Sequence, residues 1–230
     1  MAIKDNLAQI QRNLSKAAVK SGRSVAGINL IGVTKTIGMD RVIEAIQEGV
    51  KIFGENRVQE ALPKMESVGS KGYHPEWHFI GKLQRNKVKS IVGSFSLIHS
   101  VDSIPLAEEI ARRSEIKGIP QEILLEINLS GESAKSGLSV PEVLASVNRI
   151  NSLKYVKLIG LMTIPPLFTN PEDSRPYFKR LKELGGMIEE QTGNKLGSYS
   201  MGMSNDYEIA VEEGATHIRI GRALFGERVI

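Results

Sequence analysis

The feature that most constrains the fold is an alternation of short apolar segments with longer amphipathic ones. Each short segment has the length and apolar content of a buried strand, and each longer one repeats apolar residues at helical spacing. Such alternation is typical of parallel sheets whose strands are connected by helices. Eight strands are predicted: 30–35, 50–53, 77–80, 95–101, 123–129, 156–164, 198–201 and 217–220.

The predicted helices fit around these strands. An amphipathic helix over residues 3–20 precedes the first strand, and a helix follows each strand in turn. Eight strands, each followed by a helix, favour an α/β fold of the (β/α)8 TIM-barrel type over a doubly wound sheet. No linker composition divides the chain, so we expect one barrel domain over residues 1–230. The helices with predicted bounds are 55–68, 84–92, 103–117, 206–213 and 222–225.

Composition restricts the class of protein. Apolar residues make up 41% of the 230 residues and charged residues 24%, which is typical of a globular chain with a core. The longest uncharged stretch, Leu158–Pro171, has 14 residues and three prolines, so no membrane span is expected. Residues 1–14 lack the apolar core of a signal peptide. The chain has no cysteine, which fits a reducing compartment, and we expect a cytoplasmic protein.

Charge and histidine spacing argue against two further classes of partner. The formal net charge is only +4, and the one basic run has no interleaved aromatic residues, so a solvated helix face is favoured over nucleic-acid binding. That run consists of Lys82, Arg85, Lys87 and Lys89. No metal site is expected, because the four histidines lack the spacing of metal ligands. They are His74, His78, His99 and His217.

The first predicted strand ends at a single lysine, Lys35, just before a helix. In a barrel, the carboxyl ends of the strands face the active-site mouth. A lysine partly desolvated there can act as a nucleophile toward an aldehyde, whereas a solvated strand-end lysine is the structural alternative. Asn56 and His78 are candidates to flank a bound ring, although a lone strand histidine is also commonly a hydrogen-bonded core residue.

The loops after the seventh and eighth strands carry phosphate-binding features. Ser200–Ser204 contains Gly202 between two hydroxyls, and Gly221–Arg222 places a cation beside a glycine that opens a helix. Barrels commonly bind phosphate at these two loops, although turn glycines and helix caps give the same pattern. Arg219 lies within the eighth strand, and its apolar neighbours do not decide whether it faces the barrel interior.

Longer motifs give a resemblance to a known family. They are the strand 30–36 that carries the lysine, Phe53–Glu60, Trp77–Gln84, Gly160–Thr163, Ser200–Asp206 and Ile218–Gly221. Over essentially its whole length the chain resembles the pyridoxal phosphate homeostasis protein family. The resemblance implies a barrel similar to the N-terminal domain of alanine racemase, with pyridoxal 5′-phosphate held as an internal aldimine on Lys35.

The resemblance also implies roles for other residues. The phosphate would be held by Ser200, Ser204, Gly221 and Arg222. Arg219 would face the pyridine nitrogen, where a cation disfavours protonation and weakens the ring as an electron sink. Asn56, His78 and Met162 would line the ring and the aldehyde side. Two departures from the family are Thr34, where many members have serine, and Arg222, where others have threonine.

The function implied is that of a binding and regulatory protein. It would capture pyridoxal 5′-phosphate, limit the free aldehyde and supply cofactor to apo-enzymes, and we expect a monomer. Lys135 is either a second, transient amine site or a surface lysine.

Two enzymatic alternatives remain. An amino-acid racemase needs an acid/base group opposite the lysine, which a tyrosine from a second domain supplies in alanine racemases. This chain runs only ten residues beyond Ile220, so we expect no such domain and weak or absent racemisation. A Schiff-base aldolase acting on a sugar phosphate would use Lys35 directly, with Glu126 as the nearest acid/base candidate.

Overall fold

The computed structural model describes residues 2–132 and 135–226 and contains a closed barrel of eight parallel strands. The strands follow one another around the barrel in sequence order, and β8 pairs with β1 to close it. The predicted (β/α)8 barrel is therefore confirmed. The strands are β1 Asn29–Val33, β2 Ile52–Glu55, β3 Glu76–Phe79, β4 Leu97–Val101, β5 Gln121–Glu126, β6 Val156–Met162, β7 Ser198–Met203 and β8 His217–Ile220.

Helices surround the barrel. Among the described residues they are α1 Ile3–Lys20, α2 Met39–Gln47, α3 Val58–Ser70, α4 Val88–Ile91, α5 Ile104–Lys117, α6 Val140–Asn151, α7 Arg175–Thr192, α8 Tyr207–Glu212 and α9 Arg222–Phe225. The first and last helices have the predicted bounds. Asn6 of α1 donates through Nδ2 to the carbonyl of Leu224 over 2.9 Å, which joins these two helices.

Local sequence explains where several helices begin and end. α6 begins with the predicted capping box, in which Glu142 accepts from the Ser139 amide over 2.7 Å while the Ser139 hydroxyl accepts from the Glu142 amide. α5 ends at Gly118, whose φ of +67° is the left-handed conformation that glycine adopts without strain. The predicted helix 84–92 is shorter, because residues 85–87 form a 3-10 turn before α4.

Two strands extend beyond their predicted ends, and a glycine lies inside each extension. β2 ends at Glu55 instead of Phe53, and β7 ends at Met203 instead of Met201. A Cβ on Gly54 would lie 2.9 Å from side-chain atoms of its neighbours inside the barrel, so any larger residue would have to displace them. β1, β3, β5 and β6 instead end earlier than predicted. The earlier end of β1 places Lys35 in the turn after this strand.

The barrel interior is polar on one side. Apolar residues of the outward strand faces, such as Phe53 and Phe79, pack under the helices. Inside the barrel, Leu97, Leu124 and Met162 form a small apolar cluster. Buried polar side chains occupy another part of this interior: His78, His99, Ser200, His217 and Arg219.

The described helices and side chains also bear on membrane crossing and metal binding. None of the helices within residues 2–132 and 135–226 combines the length and the apolar composition that a bilayer crossing requires. Over the same residues, no three side chains of the types histidine, cysteine, aspartate and glutamate are grouped so that they could hold a metal ion.

Candidate functional site

The carboxyl ends of the strands surround a cavity of about 430 Å³. Its lining includes residues from the loops after β1, β2, β6, β7 and β8. The cavity therefore brings together side chains that are far apart in the sequence. The predicted site residues that line it are Lys35, Asn56, Ser204, Arg219, Gly221 and Arg222.

One wall of this cavity is apolar. It is formed by residues 164–168, which follow β6, together with Pro171. Leu167 in this segment is 84% exposed. Val33 and Ile80 add apolar surface from the strand ends. The cavity thus presents an apolar wall on one side and cationic and hydroxyl groups on another, as small-molecule sites commonly do.

The backbone that carries Lys35 is fixed by the residue before it. The Thr34 hydroxyl donates to Glu55 over 2.6 Å, and Lys64 Nζ donates to the Thr34 carbonyl over 2.7 Å. Glu55 and Lys64 form an ion pair in which both side chains are almost fully buried. Lys35 itself is partly exposed at the cavity surface, so its amine can reach a ligand.

The residue after Lys35 has an unusual backbone conformation. Thr36 has a φ of +63°, which β-branched residues rarely adopt. Its hydroxyl donates to the carbonyl of Lys35 over 2.6 Å, a local contact that accompanies this conformation. Such conformations persist only where the surrounding structure determines them, and they concentrate at functional sites.

Asn56 presents an unused acceptor beside the lysine. Its Oδ1 atom is buried and has no hydrogen-bond partner among the described residues. An unpaired buried carbonyl is costly, so its partner is expected to come from outside the chain. The position of Asn56 in the cavity lining makes a bound ligand, or an ordered water, the natural donor.

The loops after β7 and β8 are held together at one end of the cavity. The Ser204 hydroxyl accepts from the Ala223 amide over 3.2 Å, and Arg222 Nη2 donates to Asn205 Oδ1 over 3.5 Å. A cavity end with a guanidinium and a hydroxyl, at the start of α9, suits a phosphate or another anion.

Arg219 faces the barrel interior and forms part of the cavity floor, which the sequence left open. It is only 4% exposed, and burial lowers its pKa to about 10, opposed by the nearby carboxyl groups of Asp206 and Glu126. The group is therefore a buried cation at neutral pH. It donates to the Ser200 hydroxyl and, through Nη2, to the carbonyl of Thr163 over 3.0 Å.

Three predicted site residues lie beneath the cavity and are not part of its lining. Ser200 is fully buried and accepts from Arg219. His78 is buried within the barrel, where it contacts another histidine, and Met162 belongs to the apolar cluster inside the barrel. The structure therefore places these three side chains in the barrel interior, outside the lining of the cavity.

Glu126 and Lys135 lie at a second cavity of about 190 Å³, and Ile164 contributes to both cavities. Burial, followed by the charge of Asp102, raises the pKa of Glu126 to about 7. Lys135 forms an ion pair with Glu132 over 2.7 Å. The aldolase candidate Glu126 is therefore near the mouth but not among the side chains that line the cavity of Lys35.

Two groups of residues that shape this site were not predicted from the sequence. One is the ion pair of Glu55 and Lys64, and the other is His99, which lies deep in the barrel. Glu55 did carry a signal, because it lies in the motif Phe53–Glu60, just after a predicted apolar strand. The sequence gives no comparable signal for Lys64, because Lys64 meets Glu55 only where α3 packs against β2 in the folded protein.

Comparisons with known proteins agree with this geometry. Residues 6–229 match the family model of the alanine racemase N-terminal domain. The pyridoxal phosphate homeostasis protein of Aquifex aeolicus strain VF5 is 44% identical over 224 residues, covering 97% of both chains. The protein of that name from Synechocystis strain PCC 6803 is 41% identical and covers 88% of this chain and 92% of its own.

Solved structures give the same result. PipY of Synechococcus elongatus PCC7942, solved with PLP bound, is 33% identical with a TM-score of 0.86, covering 97% of this chain and all of its own. Alanine racemase of Clostridium difficile 630 shares only the fold, with 16% identity and a TM-score of 0.66 over 98% of this chain and 58% of its own. The identities and coverage of the homeostasis proteins show that the chain belongs to the pyridoxal phosphate homeostasis protein family, whose fold is that of the alanine racemase N-terminal domain.

Proposed function

We propose that this chain binds pyridoxal 5′-phosphate through Lys35 and acts in the homeostasis of that cofactor. The observation that carries the proposal is one cavity lined by Lys35, by the buried Arg219 and by two loops whose hydroxyl and guanidinium groups suit a phosphate. The names of its relatives, and the PLP bound to PipY, support the same ligand.

The residues present fit this cofactor. The orphaned Oδ1 of Asn56 offers an acceptor beside Lys35, and the buried guanidinium of Arg219 offers donors to a ring nitrogen. Ser204 and Arg222 offer a hydroxyl and a cation to an anion at the α9 end. When bound, pyridoxal 5′-phosphate supplies an aldehyde that condenses reversibly with a lysine amine.

Each residue then has a proposed role. Lys35 supplies the amine, and Arg219 keeps a positive charge at the ring nitrogen. Ser204, Gly221 and Arg222 bind the phosphate, and Asn56 orients the aldehyde side. We assign the remaining predicted residues to support of this floor from inside the barrel: His78, Met162 and Ser200.

The proposed role of the protein is regulatory and not catalytic. A cation at the ring nitrogen weakens the cofactor as an electron sink, so strong binding need not bring strong catalysis. We propose that the protein limits the free aldehyde and supplies it to apo-enzymes, as a cytoplasmic monomer with one domain over residues 1–230. Light scattering tests the monomeric state, cell fractionation tests the compartment, and a single cooperative unfolding transition tests the one domain.

The test of binding uses absorption and covalent trapping. Added pyridoxal 5′-phosphate is expected to give a visible band, and borohydride reduction followed by peptide mapping is expected to place the adduct on Lys35. Lys35→Ala should lose the band and the adduct, whereas Lys82→Ala, at an exposed position, should keep both. A reduced adduct spread over surface lysines would overturn the proposal.

A transfer assay tests homeostasis separately from binding. The loaded protein is mixed with an apo-enzyme that requires the cofactor, and the recovery of that enzyme's activity is followed. Recovery faster than release into buffer would indicate direct delivery. Recovery no faster than release into buffer would indicate storage alone.

A further inference from the structure

A continuous chain of hydrogen bonds crosses the barrel interior from its amino-terminal rim to Arg219. Glu76 Oε1 lies 2.9 Å from His78 Nε2, and His78 Nδ1 lies 2.9 Å from His99 Nε2. His99 Nδ1 lies 2.8 Å from Ser200 Oγ, which in turn contacts Arg219 Nη1. The chain therefore joins the opposite rim of the barrel to the floor of the cavity.

A single proton on each imidazole gives all the hydrogen bonds between Arg219 and Glu76 one consistent direction. A guanidinium only donates, so Ser200 accepts from Arg219 and its own hydroxyl proton is free to go to His99 Nδ1. His99 must then carry its proton on Nε2 and donate to His78 Nδ1. His78 carries its proton on Nε2 and donates to the carboxylate of Glu76.

The ionisation of His99 and Glu76 agrees with this order. Burial, more than any other cause, holds the pKa of His99 well below its usual value, so this imidazole is neutral. The hydrogen bond from His78 is the largest cause that lowers the pKa of Glu76, to about 2, so this carboxyl is an acceptor at neutral pH. Neutral rings between an arginine and a carboxylate can each donate once and accept once.

The third histidine of the interior lies outside the chain. His217 is within 5.8 Å of the His78 ring and 5.7 Å of the His99 ring, measured between centroids. Its Nε2 accepts from Asn29 Nδ2 over 3.1 Å, so its Nδ1 donates to the Thr216 hydroxyl over 2.9 Å. His217 packs against the chain and has partners of its own.

We propose that Glu76, His78, His99 and Ser200 are positioning residues that hold the Arg219 guanidinium in the cavity floor. This rests on the proposed function in that the guanidinium then faces the cofactor ring. Ser200 fixes one Nη group, while the Thr163 carbonyl fixes the other over 3.0 Å. Glu76 is remote from the cavity, yet it selects the tautomers of both histidines.

A merely space-filling role would not need this arrangement. The same interior is filled by Leu97, Leu124 and Met162 on its other side, so apolar packing is available to this fold. Buried polar side chains are costly unless their partners are complete, and here each member between the two ends has both partners. Removal of one member is therefore expected to disturb the next one along the chain.

The first test needs no cofactor. Nitrogen NMR of the ¹⁵N-histidine-labelled protein is expected to show neutral His78 and His99 rings, protonated at Nε2. Glu76→Leu removes the terminal acceptor, so we expect part of the His99 population to move its proton to Nδ1. Glu76→Gln keeps an acceptor oxygen and should retain the original tautomer. A wild-type His99 protonated on Nδ1 would overturn the proposal.

The second test measures the Kd for pyridoxal 5′-phosphate and the absorption of the bound form. Ser200→Ala and Glu76→Leu should each weaken binding about tenfold, the order expected for one charge-assisted hydrogen bond, and should shift the absorption band. Ser200→Thr and Glu76→Gln should restore much of the wild-type behaviour. The matched control is Glu122→Gln, a rim carboxylate that pairs with Lys157 instead.

The outcomes separate the two proposals. If wild-type protein binds no pyridoxal 5′-phosphate, the proposed function fails, while the NMR experiment still decides the hydrogen-bond order. If wild-type protein binds it and Ser200→Ala and Glu76→Leu change neither affinity nor absorption, the positioning role is wrong. Thermal unfolding of each variant identifies any that has lost its fold; if Glu76→Leu unfolds, Ser200→Ala decides the positioning role, and if Ser200→Ala unfolds, Glu76→Leu decides it.

Discussion

Lys64 Nζ donates a hydrogen bond to the carbonyl oxygen of Thr34, the residue immediately before Lys35, over 2.7 Å. The ammonium comes from α3, and its counter-charge, Glu55, ends β2. Glu55 in turn accepts from the Thr34 hydroxyl over 2.6 Å. Two neighbouring elements therefore hold the backbone that presents the reactive amine.

Replacement of Lys64 by methionine should destabilise the protein and disorder the Lys35 turn. Glu55 is fully buried, so loss of its counter-charge leaves a carboxylate without compensation, at a cost of about 3–5 kcal/mol. Urea unfolding measures the stability, and the rate of adduct formation on Lys35 measures the positioning. Lys71→Met, at an exposed position at the end of α3, should change neither.

A double replacement separates the effect of the unpaired buried charge on stability from the effect of the lost hydrogen bonds on the Lys35 turn. Glu55→Met with Lys64→Met removes both charges, so most of the stability lost in Lys64→Met should return. The rate of adduct formation should remain low, because Thr34 has still lost its two partners. A double variant with wild-type adduct formation would contradict a positioning role for this ion pair.

Arg222→Ala should weaken binding of pyridoxal 5′-phosphate more than binding of pyridoxal. The guanidinium lies at the cavity end beside Ser204, and a charge-assisted contact to phosphate is worth about 1.5–3 kcal/mol. We therefore expect at least a tenfold rise in Kd for the phosphorylated ligand. Binding of pyridoxal, which has no phosphate, is the internal control, and an equal loss for both ligands would contradict a phosphate contact.

Stability should fall in acid through His217. Burial lowers the pKa of this ring from 6.5 to about 4. Below pH 6.5 the unfolded chain takes up a proton that the folded protein does not, so stability is lost as pH falls from 6.5 toward 4, by about 2 kcal/mol at pH 5. Urea unfolding at pH 7 and pH 5 measures this. His217→Asn should reduce the difference, whereas His74→Asn, at an exposed position, should not.

Much of the fold follows from local sequence. The helical spacing of Leu7, Ile10 and Leu14 predicted α1, whose bounds are confirmed, and the runs of apolar residues located all eight strands. Several of the errors fall at strand ends. Gly54 lies outside a β-like pattern although β2 continues through it, at a place where a Cβ would come within 2.9 Å of neighbouring side chains. Local propensity does not contain these contacts.

The site was predictable only in part, for a related reason. Lys35, Ser204 and Arg222 lie at strand or helix ends, so the topology of a barrel already brings them to one mouth. The direction of Arg219 was undecided because an arginine between two isoleucines fits either face of a strand. His99 acquires its role from partners 21 and 101 residues away in the sequence, and only the closed barrel makes those contacts.

Glu126→Gln should stabilise the protein above neutral pH. Burial and Asp102 raise the pKa of this carboxyl from 4.5 to about 7 in the folded state. The unfolded chain therefore releases its proton first as pH rises, so the stability present below pH 4.5 is lost progressively up to pH 7. Between pH 6 and pH 8 the loss is about 1 kcal/mol, which chemical unfolding at the two pH values measures.

The glutamine variant removes this titration and should show a smaller decline, while Glu122→Gln, at the opposite rim, should decline as the wild type does. Equal declines in wild type and Glu126→Gln would mean that Glu126 titrates near its ordinary pKa and is not held partly neutral at the mouth of the barrel.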